Sequence, residues 1–71
     1  MDALSTSMKV QRAMLNLTQA DLADLAGITR KSINAIETGK MVPSVILALK
    51  LAKALGTTVE TLFSIEQDTA R

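Results

Sequence analysis

The sequence predicts an all-α fold of five short helices in a single domain spanning residues 1–71. Apolar residues recur at helical spacing, a serine or threonine precedes each such stretch, and a glycine or asparagine usually follows it. The chain is too short for two domains, and 48% of its residues are hydrophobic. A domain of this size buries only ~60–65% of the surface that its unfolded chain exposes, so self-association is one way to extend its core.

The first helix is predicted to begin after a serine cap and to end near residue 15. Ser5 and Ser7 are both candidate caps. Leu4, Met8 and Leu15 are spaced to share one apolar face of this helix.

Helices two and three have the clearest boundaries. Asn16 occupies a predicted left-handed position before helix two, Thr18 caps that helix and Gly27 ends it. Thr29 then caps helix three and Gly39 closes it. The predicted buried faces consist of Leu22, Ala23, Ala26, Ile33 and Ile36. Two short amphipathic helices joined at a glycine are typical of a helix-turn-helix unit.

Helix four is predicted over residues 45–55, with Ser44 as its cap and Gly56 at its end. Thr58 caps a short fifth helix over residues 59–63. The expected core stripe of helix four is Val45, Ala48, Leu51, Ala52 and Leu55. Its other positions are largely apolar as well, and a helix that is apolar on nearly all sides must be covered on nearly all sides. A partner surface is therefore expected.

Composition makes several classes of protein poor candidates. The chain has no cysteine and no histidine, which removes thiolate and imidazole chemistry, so we expect no enzyme, no metal site and no cofactor. The longest apolar run is far shorter than the ~20 residues that a membrane span needs, and no secretory signal is expected. These features favour a cytoplasmic protein.

The net charge of +1 conceals an uneven distribution. Residues 9–53 contain seven basic and three acidic residues, a balance of +4, whereas residues 54–71 contain one basic and three acidic residues, a balance of −2. A positive middle suits a protein that sets one side against phosphates. A solvated charged surface is the alternative interpretation.

The sequence resembles a known family through the ordered motif Thr-Gln…Leu-Ala…Gly-Ile-Thr…Ile…Ile-Glu-x-Gly…Pro…Leu-Ala…Leu-Gly. This order is similar to that of phage-repressor and Cro-type helix-turn-helix domains, the xenobiotic-response-element class of bacterial regulators. The resemblance covers about residues 8–63 and leaves a polar tail over residues 64–71. It implies a lambda-repressor-like, five-helix DNA-binding domain whose helix-turn-helix comprises helices two and three.

Base contacts are expected from the start of helix three, which would lie in the major groove of double-stranded DNA. Arg30 can donate two hydrogen bonds to guanine, and Lys31 and Ser32 can make less discriminating contacts. By the resemblance, Ala35 occupies a base-contacting position and offers only a methyl group. The alternative for Arg30 and Lys31 is solvated charge, but cations at a helix N-terminus oppose the helix dipole by ~0.3–1 kcal/mol each unless a polyanion compensates.

Phosphate contacts are expected on both sides of that helix. Thr18 and Gln19 lie at the start of helix two, where free backbone N–H groups favour anions. Asn34, Thr38 and Lys40 lie toward the end of helix three. The alternatives are a cap alone for Thr18 and a solvated amide for Gln19. The resemblance further implies a structural ion pair, Arg12 with Glu37, tying helix one to the end of helix three.

A homodimer is expected because one recognition helix makes few base contacts, whereas a two-fold dimer places two in successive major grooves ~34 Å apart. The predicted interface comprises the spare apolar residues Met41, Ile46, Leu49, Phe63 and Ile65. For Phe63, completing the monomer core is an equally good interpretation.

The resulting hypothesis is a sequence-specific DNA-binding transcriptional regulator that acts as a dimeric repressor on a palindromic operator. Stand-alone domains of this type include phage repressors, restriction-modification controllers and antitoxins. A protein of this kind would act at the bacterial nucleoid. The alternative is a protein-interaction module that retains the helix-turn-helix fold without specific DNA binding, favoured by the apolar fourth helix.

Overall fold

The computed structural model describes residues 3–66. They form five α-helices and two short β-strands. In chain order the elements are β1 (Ala3–Thr6), α1 (Met8–Met14), α2 (Gln19–Ala26), α3 (Arg30–Glu37), α4 (Val45–Ala54), α5 (Val59–Leu62) and β2 (Phe63–Glu66). None of the helices within residues 3–66 has both the length and the hydrophobicity required to cross a bilayer.

Hydroxyl side chains cap four of the helices as predicted. The Oγ1 of Thr18 accepts from the backbone N–H of Asp21 at 3.0 Å, while Oδ2 of Asp21 accepts from the N–H of Thr18 at 2.9 Å. Thr29, Ser44 and Thr58 each accept an N–H from the third residue of their own helix, at 3.1 to 3.2 Å. Each hydroxyl satisfies an amide that the helix itself leaves without a partner. These short-range contacts explain why the helix starts could be predicted from the sequence.

One apolar core joins all five helices. Its fully buried large side chains are Met8, Leu22, Ile33, Ile36, Leu51 and Leu62. The predicted buried faces of α2 and α3 are therefore confirmed. Leu47, Met41 and Phe63 are partly buried against this core. For Met41, which was expected in a dimer interface, the packing within the chain accounts for much of its apolar surface.

A two-stranded antiparallel ribbon corrects the all-α prediction. Residues 3–6 pair with residues 63–66, with Leu4 opposite Ile65 and Thr6 opposite Phe63. Leu4 therefore lies in a strand and not on the face of the first helix. The predicted polar tail also begins inside β2, and its remaining residues, 67–71, lie outside the described part of the chain.

The first helix is shorter than predicted, and of its predicted apolar face it buries Met8. Ser7 precedes α1, but its hydroxyl donates to the carbonyl of Thr61 at 2.9 Å and makes no cap. Met8 is fully buried, whereas Leu15 follows the helix and is 50% exposed. The prediction that Leu15 shares the core face was wrong, because the helix ends one residue before it. Asn16 has the predicted positive φ of 57°.

The core stripe of α4 agrees with the prediction at four of its five positions. Ala48, Leu51, Ala52 and Leu55 are buried, but Val45 is 76% exposed. Val45 is the first residue of the helix, at the edge of the apolar stripe, so no element covers it. Leu47, predicted to lie outside the stripe, packs against the core instead.

Candidate nucleic-acid interface

The turn between α2 and α3 places the start of α3 on the surface. Gly27 ends α2 with φ of 72°, a left-handed conformation that L side chains adopt at a cost. Ile28 donates its N–H to the carbonyl of Ala23 at 3.0 Å, which closes the turn, and Thr29 then caps α3. Buried Ile33 anchors α3 against the core. The opposite face of α3 is consequently held outward by a rigid unit.

Two cations lead the outward face of α3. Arg30 and Lys31 are the first two helical residues, and both are exposed. The Arg12–Glu37 contact is the one ion pair within residues 3–66, so neither cation has a carboxylate partner there. Ser32 is half-buried, and its hydroxyl oxygen accepts from Thr29 Oγ1 at 3.0 Å. The proton of the Ser32 hydroxyl remains able to donate to another acceptor.

Ala35 lies one turn further along α3. It is half-buried, in contrast to the exposed Arg30 and Lys31. Its backbone carbonyl accepts from the N–H groups of Lys40 and Met41 at 2.9 and 3.1 Å, which ends the helix with a tight turn. Ala35 can offer only a methyl group to a neighbour.

A shallow cleft unites the start of α3 with the start of α2. Arg30, Thr18 and Gln19 line it together with Arg12 and Asn16. Two arginines therefore border the same depression as the N-terminus of α2, and the charge of Arg12 is balanced by Glu37. A helix N-terminus carries a partial positive charge and unpaired N–H groups, so this N-terminus and Arg30 together favour an anion.

Below this cleft a polar network connects three helices. The Nε of Arg12 donates to Oε2 of Glu37 at 2.8 Å, and the second contact, Nη2 to Oε1, is 3.2 Å long. Arg12 also donates from Nη1 to the carbonyl of Leu17 at 2.8 Å. The Gln19 amide donates to Oε1 of Glu37 at 3.1 Å and to Oδ1 of Asn34 at 3.2 Å. Gln19 is therefore a bridge between α2 and α3, and its amide is not simply solvated.

The network favours the ionised forms of both Arg12 and Glu37. Burial raises the pKa of Glu37, but hydrogen bonds from Arg12 and Gln19 and the charges of Arg12 and Lys9 outweigh it, so the pKa lies below its ordinary value. The hydrogen bond to Glu37 raises the pKa of Arg12 despite burial. The side chain of Glu37 is only 4% exposed. The pair is thus largely buried, and Arg12 reaches the edge of the cleft.

The residues near the end of α3 differ in whether their charges and hydrogen-bond donors remain free. Lys40 is exposed and has no ion-pair partner within residues 3–66. Asn34 accepts from Gln19 through Oδ1, which leaves its amide N–H groups able to donate. The Thr38 hydroxyl donates back to the carbonyl of Asn34 at 2.9 Å. Its proton is therefore committed to its own helix, which weakens the case for Thr38 as a phosphate donor.

Thr18 and Asp21 cap the start of α2 reciprocally. The Oγ1 of Thr18 accepts the cap bond from the N–H of Asp21. Hydrogen bonds from the backbone and side chain of Thr18 lower the pKa of Asp21, which keeps a negative charge beside the cleft. That charge opposes an incoming phosphate, while the first N–H groups of α2 favour one.

A separate apolar groove lies between α4, α5 and the ribbon. Sequence reasoning singled out Leu49 and Phe63, which both line it, and it also contains Leu4, Val42, Val45 and Val59. Ile46 and Ile65 are 69% and 61% exposed, but they do not line the groove. The contribution of the ribbon was missed, because Leu4 gives no strand signal by itself and its partner lies about sixty residues away.

Comparison with known proteins identifies the family. The family described as "Helix-turn-helix" matches residues 8–62 of this chain. An uncharacterized HTH-type transcriptional regulator of Methanocaldococcus jannaschii is 46% identical over 65 residues, covering 92% of this chain and 98% of that protein. Another, from Methanothermobacter thermautotrophicus, is 41% identical over 69 residues, 96% of this chain and 100% of the relative. The chain therefore belongs to the helix-turn-helix family.

Solved structures agree with this assignment. The restriction-modification controller protein C.AhdI from Aeromonas hydrophila matches with a TM-score of 0.74 and 31% identity, over 76% of this chain and 82% of that one. A hypothetical transcription factor, NHTF from Neisseria, matches with a TM-score of 0.73 and 26% identity, over 76% of this chain and 61% of that one. Within the family, this chain is a DNA-binding transcriptional regulator of the Cro/C1 type.

Proposed function

We propose that this regulator binds a palindromic operator as a homodimer and represses transcription by occluding a promoter. The observation that carries the proposal is the start of α3, where Arg30 and Lys31 are exposed on a helix that the core holds rigidly. Two cations at a helix N-terminus are unfavourable in isolation. A DNA major groove, rich in acceptor atoms and flanked by phosphates, would compensate for both.

In this proposal each exposed side chain of α3 has a distinct role. Arg30 pairs with guanine O6 and N7, while Lys31 and Ser32 contact neighbouring base edges. Ala35 places its methyl group against a thymine methyl. This division predicts that most sequence discrimination comes from Arg30, since it alone offers a rigid bidentate donor pair.

Phosphates would be held on both sides of the recognition helix. One phosphate would lie against Thr18, where the first N–H groups of α2 donate to it. The amide of Gln19 donates to Oδ1 of Asn34 at 3.2 Å, so Gln19 helps to position the Asn34 amide. Because its own amide nitrogen is already hydrogen-bonded, Gln19 would contribute little to holding a phosphate. Lys40 contributes a point charge. Thr38 would contact a phosphate only weakly, through a bridging water that its hydroxyl oxygen accepts from.

Selection of bound sequences from a random DNA pool would test this assignment. The recovered motif should be palindromic, with half-sites about 10 bp apart centre to centre. Fluorescence anisotropy on that DNA should show Arg30→Ala binding about 10- to 100-fold more weakly and losing discrimination at one base pair per half-site. Lys40→Ala should weaken binding to all sequences and make the salt dependence shallower by roughly one charge per half-site.

Lys50→Ala is the matched control, because Lys50 is an exposed lysine on α4 away from the cleft. It should bind the selected DNA within about twofold of the unmodified protein, since it contacts neither bases nor phosphates in the proposed docking. A protein carrying both Arg30→Ala and Lys31→Ala that binds as tightly as the unmodified chain would refute the proposed reading face.

A protein-interaction role is the second candidate. The observation that favours it is the apolar groove beside α4, in which Leu49 is 56% exposed and Val45 is 76% exposed. If that role were primary, the selection experiment would recover no enriched sequence. In that case Leu49→Asp, and not Arg30→Ala, would abolish association with the partner.

A further inference from the structure

The apolar groove carries one charge of each sign at its margin. Lys53 on α4 and Glu60 on α5 both line it. Both are exposed, and within residues 3–66 neither forms an ion pair, since the pair of Arg12 and Glu37 is the one found there. An apolar surface edged by one cation and one carboxylate is suited to a partner with the same arrangement in reverse.

We propose that the groove is covered by a second copy of this chain, and that Lys53 of each copy forms an ion pair with Glu60 of the other. The inference rests on the homodimer proposed above and names the contacts that select the second copy. In a two-fold interface the same patch meets itself, so a contact between two different residues occurs twice. One cation and one carboxylate per copy thus give two ion pairs per dimer.

The helical periodicity of α4 supplies the matching shape. Val45, Leu49 and Lys53 line the groove at i, i+4, i+8 spacing, and Ile46 lies on the outer side of this row. Ile46 is 69% exposed and does not line the groove of its own chain. A self-complementary patch needs both a ridge and a groove, and Ile46 beside the groove provides the ridge.

The exposed apolar area is of the size that a dimer requires. Four large apolar side chains that line the groove and two that adjoin it, Ile46 next to Val45 on α4 and Ile65 opposite Leu4 in the ribbon, are between 40% and 76% exposed: Leu4, Val42, Val45, Leu49, Ile46 and Ile65. Together they expose on the order of 600 Å², close to the ~800 Å² that each partner contributes to a standard interface. The flanking polar residues, Lys53 and Glu60 among them, supply a rim of the kind that such interfaces have.

Charge reversal tests the pairing directly. Lys53→Glu and Glu60→Lys should each raise the dimer dissociation constant about 10-fold or more in sedimentation equilibrium, because each places like charges opposite one another twice per dimer. Asp24→Lys makes the same charge reversal as Glu60→Lys, at an exposed residue of α2 that does not line the groove, and should stay within about twofold of the unmodified chain.

Mixing the two single variants separates contacts between copies from contacts within one copy. A mixed dimer of Lys53→Glu with Glu60→Lys sets opposite charges against each other at both sites, so native mass spectrometry should show mixed dimers in excess over either homodimer. The doubly reversed chain should dimerise within about threefold of the unmodified chain. Far-UV circular dichroism checks that each variant keeps its helices.

Each outcome bears on the proposal. Mixed dimers in excess, with weak homodimers of both single variants, support the pairing. An unmodified dimer that is indifferent to both reversals overturns the pairing but leaves the proposed dimeric regulator intact. Rescue in the doubly reversed chain without rescue on mixing assigns the pair to a single chain and overturns it. If a reversed variant loses helix content, Lys53→Met and Glu60→Gln replace it, and each should weaken dimerisation about threefold.

Discussion

Glu37 is the side chain on which three helices converge. It accepts hydrogen bonds from Arg12 of α1 and Gln19 of α2 while belonging to the last turn of α3. Its side chain is only 4% exposed, compared with 15% for Arg12. Charges this far from water are stable only because they are paired, so removing one partner leaves the other without compensation. α3 is therefore tied to α1 and α2 by a contact that is largely buried.

Breaking this pair from one side should cost more than replacing it as a whole. We expect Glu37→Ala to lower the free energy of unfolding by about 3 kcal/mol, because Arg12 is left partly buried without its carboxylate. Arg12→Met combined with Glu37→Leu should be less destabilising than Glu37→Ala, since no unpaired charge remains. Urea titrations of the three chains measure this difference. A double variant less stable than Glu37→Ala would contradict the account.

The same pair predicts a loss of stability in acid. The pKa of Glu37 is lower in the folded chain than its ordinary value of 4.5, so the unfolded state takes up protons first as the pH falls. Its contribution is fully present above pH 4.5 and is lost as the pH falls toward the folded-state pKa. Urea titrations between pH 7 and pH 3 should show this fall. Glu37→Gln should show a smaller fall over the same range, with the remainder arising from other acids such as Asp21.

At the scale of elements, the boundaries predicted best are those made by local chemistry. Thr18, Thr29, Ser44 and Thr58 act within three residues of themselves, and each caps the predicted helix. Such contacts depend on short-range geometry that a pattern of residue types captures. For this reason the helix-turn-helix could be placed from sequence alone.

The turn between α2 and α3 gives a prediction for one glycine. An added Cβ at Gly27 would meet nothing within 4 Å, so the cost of Gly27→Ala comes from its φ of 72° and not from a clash. We expect a loss of about 1 kcal/mol in the free energy of unfolding. Gly27→Asn should lose less, because asparagine tolerates this conformation better. Chemical denaturation of the two variants measures the order, and an alanine variant as stable as the native chain would refute it.

The elements that sequence reasoning missed depend on contacts between distant residues. Leu4 joins Ile65 across the ribbon, and nothing in either four-residue strand signals a partner so far along the chain. Val45 was placed in the core because its spacing fits the stripe, yet its position at the first turn leaves it 76% exposed. Periodicity defines a face of a helix but not how much of that face a neighbour covers.

The proposed site shows the same division. Exposure of Arg30 and Lys31 at the start of α3 follows from the cap at Thr29, which sequence reasoning located. The bonds that engage Gln19 and Thr38 could not be predicted, because they depend on side-chain geometry between and within helices. Residue type thus predicts a surface for a polyanion, while the structure distinguishes side-chain donors that are free from those already hydrogen-bonded.

At the scale of the whole molecule, the proposed dimer should couple stability to concentration. A chain whose apolar groove is covered only in the dimer gains stability as the protein concentration rises. We expect the thermal midpoint of the native chain to increase over a hundredfold range of concentration. Leu49→Asp, which puts a charge on the groove wall, should remove that dependence. A midpoint that does not vary with concentration in the native chain would contradict the proposed dimer.

The ribbon has a kinetic consequence as well. The pairing of Ala3 with Glu66 joins residues more than 60 positions apart, and contacts at such a separation form late in folding. The helices, whose contacts are local, should therefore assemble first and the strands last. In native-state hydrogen exchange, the amides of the two strands should exchange through openings of lower free energy than those around Leu22 and Leu51. The ribbon can therefore open while the helical bundle that presents α3 stays folded.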